Sequence, residues 1–174
     1  MIDLTINGIP KAGCHALLKA CELLGIPTGN VEHLTYKEKT ERKYVFIIRD
    51  PRNILISWLR SKSKEVTQGN FISAFRRYDE RQSFIEHIKS FLGWLSDPDT
   101  LVVRFENLIK DDKEMRRIAD YLGVSYLDDA FENLPGLTRT WTGKYSDYQD
   151  IWTEELQKVW NEEGGVEIQK LLGY

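Results

Sequence analysis

The sequence predicts an α/β domain with a mainly parallel central sheet, and three observations carry that prediction. Short apolar runs at residues 4–9, 44–48 and 101–105 alternate with stretches of helical periodicity. The run Tyr44-Val45-Phe46-Ile47-Ile48 is continuously β-branched or aromatic, as expected of a parallel strand covered on both faces. Two strand ends carry polar sequence, Pro10-Lys11-Ala12-Gly13 and Arg49-Asp50-Pro51-Arg52. In open α/β sheets, ligands bind beyond such carboxyl ends.

Each element has its own local reason. Residues 4–9 form a strand stopped by Gly8 and Pro10. A helix over 13–24 follows, with Ala16, Leu17, Ala20, Leu23 and Leu24 at helical spacing and Gly25 and Pro27 as its stop. Residues 31–36 make a weaker strand candidate. After the strand at 44–48, Asp50 supplies an N-cap and Pro51 a first helical residue, so a helix starts there and buries Ile54, Leu55, Trp58 and Leu59. Residues 62–69 are polar and read as a loop. An amphipathic helix spans 83–95, with Phe84, Ile85, Ile88, Phe91, Leu92 and Leu95 on one side. Its His87, between Glu86 and Lys89, is expected at the surface.

Asp97-Pro98-Asp99 turns the chain into the strand at 101–105, and a helix over 112–122 ends at Gly123. Thr153 caps a helix reaching residue 161, and Gly164-Gly165 separate it from a last helix over 166–172. Trp58, Trp94 and Trp160 take helix-facing core positions. Residues 1–174 fit one domain, with no repeat, low-complexity tract or linker.

Composition narrows the function. Hydrophobic residues at 41% and charged residues at 29% are an ordinary globular balance. A net charge of −3 argues against a general nucleic-acid binder, which needs a basic surplus, yet leaves room for a local basic pocket. No stretch reaches the roughly 20 apolar residues of a membrane helix, and Met1-Ile2-Asp3-Leu4 does not open a signal peptide. Cys14 and Cys21 share one helix, about 10 Å apart along its axis, too far for a disulfide. A cytoplasmic protein is expected. No His/Cys cluster has metal-ligand spacing.

A strand, a tight glycine-containing turn with a lysine, and then a helix form a recipe for holding an anion. The helix start offers N–H groups and partial positive charge, Lys11 adds a full charge, and Gly13 permits close approach. An ordinary strand-to-helix turn with an exposed lysine fits this loop equally well. The pattern is not a Walker A motif, because the lysine precedes the glycine and no Ser or Thr follows to serve Mg²⁺. Arg49, at the end of a buried strand before a capped helix, suits bidentate pairing with a phosphate, and Ser57 lies two turns into that helix. The competing role for Arg49 and Arg52 is an ion pair with Asp50 or other surface acids.

Taken together these segments resemble the sulfotransferases that use 3′-phosphoadenosine-5′-phosphosulfate (PAPS). Pro10-Lys11-Ala12-Gly13 resembles the family's 5′-phosphosulfate loop, and residues 47–57 its 3′-phosphate segment. Leu101-Val102-Val103-Arg104-Phe105-Glu106-Asn107-Leu108 is similar to its later strand motif. Gly143-Lys144-Tyr145-Ser146-Asp147-Tyr148 is similar to its Gly-x-x-Gly-Asp-Trp segment.

The resemblance implies a P-loop-type three-layer α/β/α fold and transfer of the sulfuryl group of PAPS to a hydroxyl or amine. A sulfuryl group carries less negative charge than a phosphoryl group, so transfer without a metal is expected. Lys11, Ala12, Gly13, Cys14 and His15 would hold the 5′ end. Arg49 and Ser57 would hold the 3′-phosphate, and Gly143 and Lys144 would add contacts. His33 would be the base, with Glu32 as the alternative. Trp141 and Tyr145 are candidates for adenine or acceptor contact, and Arg139 for a phosphate. Arg104 and Glu106 are expected to be structural.

The departures are Ala12, Cys14 and His15, which replace family hydroxyl residues. They leave open a non-catalytic nucleotide binder on a decayed scaffold. The acceptor is expected to be a small molecule or carbohydrate, with residues 62–82 as a lid.

Overall fold

The apolar run around Phe46 is explained by its position inside the sheet. In the computed structural model, which describes residues 4–29, 31–62, 66–78, 82–135 and 148–174, β3 (Lys43–Ile48) pairs with β1 (Leu4–Gly8) on one side and β4 (Thr100–Arg104) on the other. β2 (Val31–Glu32) completes the order β2-β1-β3-β4, with every pair parallel. Tyr44 through Ile48 are all buried. Side chains alternate across a strand, so Tyr44 and Phe46 share a face. Both pack on Trp94, at ring-centroid distances of 4.6 and 5.7 Å.

Helices cover both faces. α1 (Cys14–Leu23) and α6 (Lys113–Leu122) lie against each other on one of them. On the other, the 3₁₀ turn Leu92–Ser96 meets α8 (Gly165–Leu172), which joins α4 (Phe84–Lys89) and α7 (Glu154–Glu162). Thr153 caps α7 by accepting from Leu156 N at 3.2 Å. Trp94 and Trp160 are fully buried, as expected. Truncating either to alanine should cost about 3–5 kcal/mol.

The topology places the site. β1 leads through α1 to β2 on one side, and the chain then returns to β3 on the other side of β1. The carboxyl ends of β1 and β3 are therefore neighbours at a topological switch point, with Gly8 in register with Ile47. The approach is close: a Cβ on Gly8 would lie 2.6 Å from Ile47 Cγ2 and 2.8 Å from Cys14 Sγ.

Several elements differ from the sequence expectation. α2 (Pro51–Lys62) starts where predicted, but the polar stretch after it opens α3 (Gln68–Arg76), capped by Thr67 accepting from Asn70 N at 3.3 Å. Phe71 and Phe75 of α3 are fully buried and contact Trp160 at 6.4 and 5.0 Å. α3 is a core helix rather than part of a lid.

The helix expected over 83–95 ends at Lys89. Ser90 Oγ donates to His87 O at 2.7 Å, and the chain tightens into the 3₁₀ turn, where Gly93 fits against the Tyr36 ring. His87 is half-buried rather than exposed, stacked on Tyr78 at 4.5 Å. β2 pairs for only two residues, and Phe105 opens a short helix, α5 (Phe105–Leu108), rather than ending β4. Among the described residues, no helix is long and apolar enough to cross a membrane. Nor does any group of three or more His, Cys, Asp or Glu come together there to hold a metal ion.

Candidate active site

The loop after β1 is shaped by its backbone. Ala12 N donates to Ile9 O at 2.9 Å, closing a turn in which Lys11 takes φ 73° and Gly13 φ 108°. Among the described residues, Lys11 is the only non-glycine with positive φ. Such a conformation costs about 1–3 kcal/mol and persists only where surroundings enforce it. Gly13 is required twice, by its φ and because a Cβ there would collide with the Phe105 ring. Its carbonyl accepts from Ala16 N and Leu17 N at 2.9 and 3.1 Å, which starts α1. Helix geometry leaves the N–H groups of Cys14 and His15 without in-helix carbonyls, a donor pair beside Lys11 suited to an anion.

Side chains contribute less at this loop. Ala12 is buried and His15 is exposed. Cys14 turns inward, its Sγ 3.9 Å from Ile9 O and 4.0 Å from His33 Nδ1. Burial pushes its thiol up to about 12, so it stays neutral next to the loop after β1. Cys14 therefore faces a ligand with its backbone alone.

His33 lies just past β2, exposed, with Nδ1 2.8 Å from Gly8 O. A carbonyl only accepts, so Nδ1 carries the proton and the neutral ring keeps its lone pair on Nε2. Asn7, buried in β1, holds the adjacent backbone: its Nδ2 donates to Leu34 O at 3.1 Å and its Oδ1 accepts from Leu34 N at 2.9 Å. Trp94 Nε1 also donates to Leu34 O, at 2.9 Å. The Asn7 amide and the His33 ring thus extend the β1–β2 ladder by side chains after backbone pairing stops. Glu32, the alternative base, faces Arg42 at 3.6 Å.

At the end of β3 the polar groups divide their partners. Asp50 is buried and caps α2 by accepting from Arg52 N at 2.9 Å. Arg52 folds back onto the same carboxylate, Nε to Oδ1 at 3.0 Å and Nη2 to Oδ2 at 2.6 Å, and lies 3.7 Å above the Tyr148 ring. Arg52 therefore neutralises Asp50. Arg49 points elsewhere: its guanidinium sits 4.5 Å over the Phe105 ring, and Nη1 makes a long 3.5 Å hydrogen bond to Lys11 O. Phe105 thus underlies both the Gly13 turn and Arg49, joining the two strand ends. Ser57 is half-buried on α2.

The match that decides the family covers residues 27–142 of this chain, which fit the sequence model of the sulfotransferase domain. The chain belongs to the sulfotransferase family. The Arg49 turn and the Leu101–Leu108 segment lie inside the match, whereas the Lys11 loop precedes it. The fold is similar to that of mouse sulfotransferase SULT7A1 complexed with PAP, at 18% identity over 99% of this chain and 89% of that one, with a TM-score of 0.74. It is also similar to retinol dehydratase in complex with androsterone and the inactive cofactor PAP, at 15% identity over 97% and 80%, with a TM-score of 0.73. No curated protein matches the sequence.

Of the expected site residues, the fold brings Lys11, Ala12, Gly13, Cys14, His33 and Arg49 to one end of the sheet. Gly143, Lys144, Arg139, Trp141 and Tyr145 lie outside the described residues. Arg104 and Glu106 are structural: Arg104 Nη2 donates to Leu172 O at 3.0 Å, and Glu106 Oε1 accepts from Asp50 N at 3.0 Å. Sequence reading missed Asn7 and Phe105. A buried polar residue in the middle of an apolar strand was the one available signal for Asn7; Phe105 gave none.

Proposed function

We propose that this sulfotransferase moves the sulfuryl group of PAPS to a hydroxyl or amine of a small-molecule or carbohydrate acceptor, leaving 3′-phosphoadenosine 5′-phosphate (PAP). The observation that carries this reading is the adjacency of the Lys11 loop and Arg49 at the β1/β3 switch point, two cationic strand ends joined by Phe105. The donor set fits a nucleotide with phosphate at both ends: Lys11 with the N–H groups of Cys14 and His15 for the 5′ group, and Arg49 with Ser57 for the 3′-phosphate. PAPS supplies an activated sulfuryl group. Lys11 and the helix-start N–H groups stabilise the negative charge that develops on the 5′-phosphate as its bond to sulfur breaks. His33 accepts the acceptor's proton at Nε2, the nitrogen that the Gly8 contact leaves free of hydrogen.

Both cysteines are buried free thiols, which supports assigning the enzyme to a reducing cytoplasm. Transfer of labelled sulfate from PAPS to a panel of hydroxyl and amine acceptors tests the reading. Turnover that falls about 10²–10³-fold in Lys11→Ala and falls steeply in His33→Ala is expected. Tight PAP binding without turnover on any acceptor would leave a nucleotide-binding protein on the same scaffold.

A further inference from the structure

His33, the proposed base, follows directly on β2, which pairs with β1 through two described residues, Val31 and Glu32. So short a ladder specifies its register weakly, and a slip of one residue would turn His33 to the other face of the sheet. One residue of β1 holds both flanks of His33. Asn7 is the ladder partner of Glu32 through its backbone. Through its side chain it takes both polar groups of the Leu34 backbone, Nδ2 donating to Leu34 O at 3.1 Å and Oδ1 accepting from Leu34 N at 2.9 Å.

Asn7 is fully buried, with Ile6 beside it on β1 and Phe46 as its register partner on β3. A polar amide in such surroundings is costly unless both its ends are satisfied, and Leu34 satisfies both. An amide side chain carries a donor and an acceptor in one plane, as a peptide group does, so Asn7 stands in for a missing strand partner. Trp94 Nε1 donates to the same Leu34 O at 2.9 Å. The chain beyond is anchored as well: Tyr36 N donates to Ser90 O at 3.2 Å, and the Tyr36 ring meets Trp94 at 5.4 Å. His33 thus sits between two fixed neighbours, with Nδ1 donating to Gly8 O at 2.8 Å, on the residue of β1 that follows Asn7.

We propose that Asn7 is a positioning residue for sulfuryl transfer: its amide extends β2 past the end of backbone pairing and so keeps the His33 ring on Gly8 O, with Nε2 left to take the acceptor's proton. An apolar residue at position 7 deprives the half-buried Leu34 of the acceptor for its N–H, and the segment shifts to hydrate that group, carrying His33 with it. Displacing a base lowers the rate of transfer. Nucleotide binding, assigned to the Lys11 loop and the Arg49 turn, does not pass through Leu34. The inference rests on the reading of His33 as the base.

Labelled-sulfate turnover and calorimetric titration of PAP test it in the wild type, Asn7→Leu, His33→Ala and the double variant, with melting temperature followed in parallel. ¹⁵N spectra of the histidine rings accompany them; the chain has three histidines, and His33→Ala assigns the signals of His33. Asn7→Leu, close to asparagine in shape, should lower kcat about tenfold while KM for PAPS and the PAP affinity stay within about twofold. In the His33→Ala background the same substitution should cost nothing further, because it acts through a ring that is no longer there. The spectra should show the His33 proton on Nδ1 in the wild type and shared between both nitrogens in Asn7→Leu.

An equal loss of kcat in both backgrounds, a fall in PAP affinity that matches the fall in kcat, or a His33 tautomer unchanged by Asn7→Leu would reduce Asn7 to a structural residue and overturn the proposal. If Asn7→Leu does not fold, Asn7→Ser, whose side chain is one atom shorter, is read by the same criteria. A His33→Ala variant as fast as the wild type removes the reading of His33 as the base, and this inference with it. Should no acceptor be turned over by any form, the enzymatic reading fails separately, and the spectra alone decide whether Asn7 fixes the ring.

Discussion

The two strand ends at the switch point, proposed to hold the two ends of one nucleotide, are built by opposite means. The loop after β1 is a backbone device: Lys11 and Gly13 in left-handed conformations, an inward-turned Cys14, and N–H groups at the start of α1. The turn after β3 is a side-chain device, braced by Asp50, Arg52, Phe105 and Glu106 through contacts that span up to 68 residues. In the proposed function the first binds through peptide N–H groups, which Ala12, Cys14 and His15 supply as well as hydroxyl residues would. In the second, Arg52 pairs with Asp50, and Glu106 accepts from both Asp50 N and Tyr174 Oη. Backbone sites depend on φ; side-chain sites depend on who pairs with whom.

Substitutions can break that contrast, the largest effect coming from the charge proposed to act in transfer. Lys11→Ala should lower the transfer rate by about 10²–10³-fold, measured as labelled-sulfate turnover at saturating PAPS. Gly13→Ala comes next. It meets both the positive φ and the Phe105 ring, and should destabilise the fold by about 2–4 kcal/mol in a urea titration, a sum of backbone strain and overpacking. Arg49→Lys keeps the charge but loses the planar fork, so the preference for PAP over AMP should shrink about tenfold while AMP binding stays constant.

Lys11→Gly separates conformation from chemistry. It relieves the left-handed strain and should raise stability by about 0.5–1 kcal/mol while abolishing transfer. A destabilised Lys11→Gly would show that Lys11 packing, not backbone geometry, sets the loop.

A last expected effect, confined to alkaline solution, is a pH dependence. Burial raises the Cys14 and Cys21 thiols from 9.0 to about 12 in the folded chain. A group with a raised folded-state pKa contributes stability that is complete below its unfolded value and is lost as pH rises through the folded one. Melting temperature should therefore decline from about pH 9 towards pH 12, and less so in Cys21→Ala than in the wild type. The same burial predicts that neither thiol is alkylated in the native protein at pH 8, whereas both react on unfolding.

How much of this was legible in the sequence follows the same division. The parallel sheet, the Asp50-Pro51 helix start, the Thr153 cap and the Gly123 stop were readable because each is a local signal with a local cause. The Lys11 loop was readable for the same reason, as a glycine and a lysine between a strand and a helix. α3 was not, because Thr67, Gln68, Gly69 and Asn70 look like a loop until Phe71 and Phe75 are seen to meet Trp160.

The bracing of the Arg49 turn was equally hidden. Nothing near Glu106 in sequence announces that its partners are Asp50 and Tyr174, and nothing near Phe105 that it will lie under Gly13. His33 is a candidate by its type and place in the chain. Its tautomer needed the carbonyl of Gly8, 25 residues away.

The most direct test of the central claim, that the ends of β1 and β3 grip the two phosphates of one nucleotide, is a crystal structure with PAP bound. The account predicts the 3′-phosphate within hydrogen-bond distance of the Arg49 guanidinium, about 3 Å. It predicts the 5′-phosphate on Lys11 Nζ and the N–H groups of Cys14 and His15, with His33 Nε2 facing the side from which an acceptor would attack. A nucleotide whose 3′-phosphate lies away from Arg49, or whose 5′-phosphate bypasses the Lys11 loop, would contradict it.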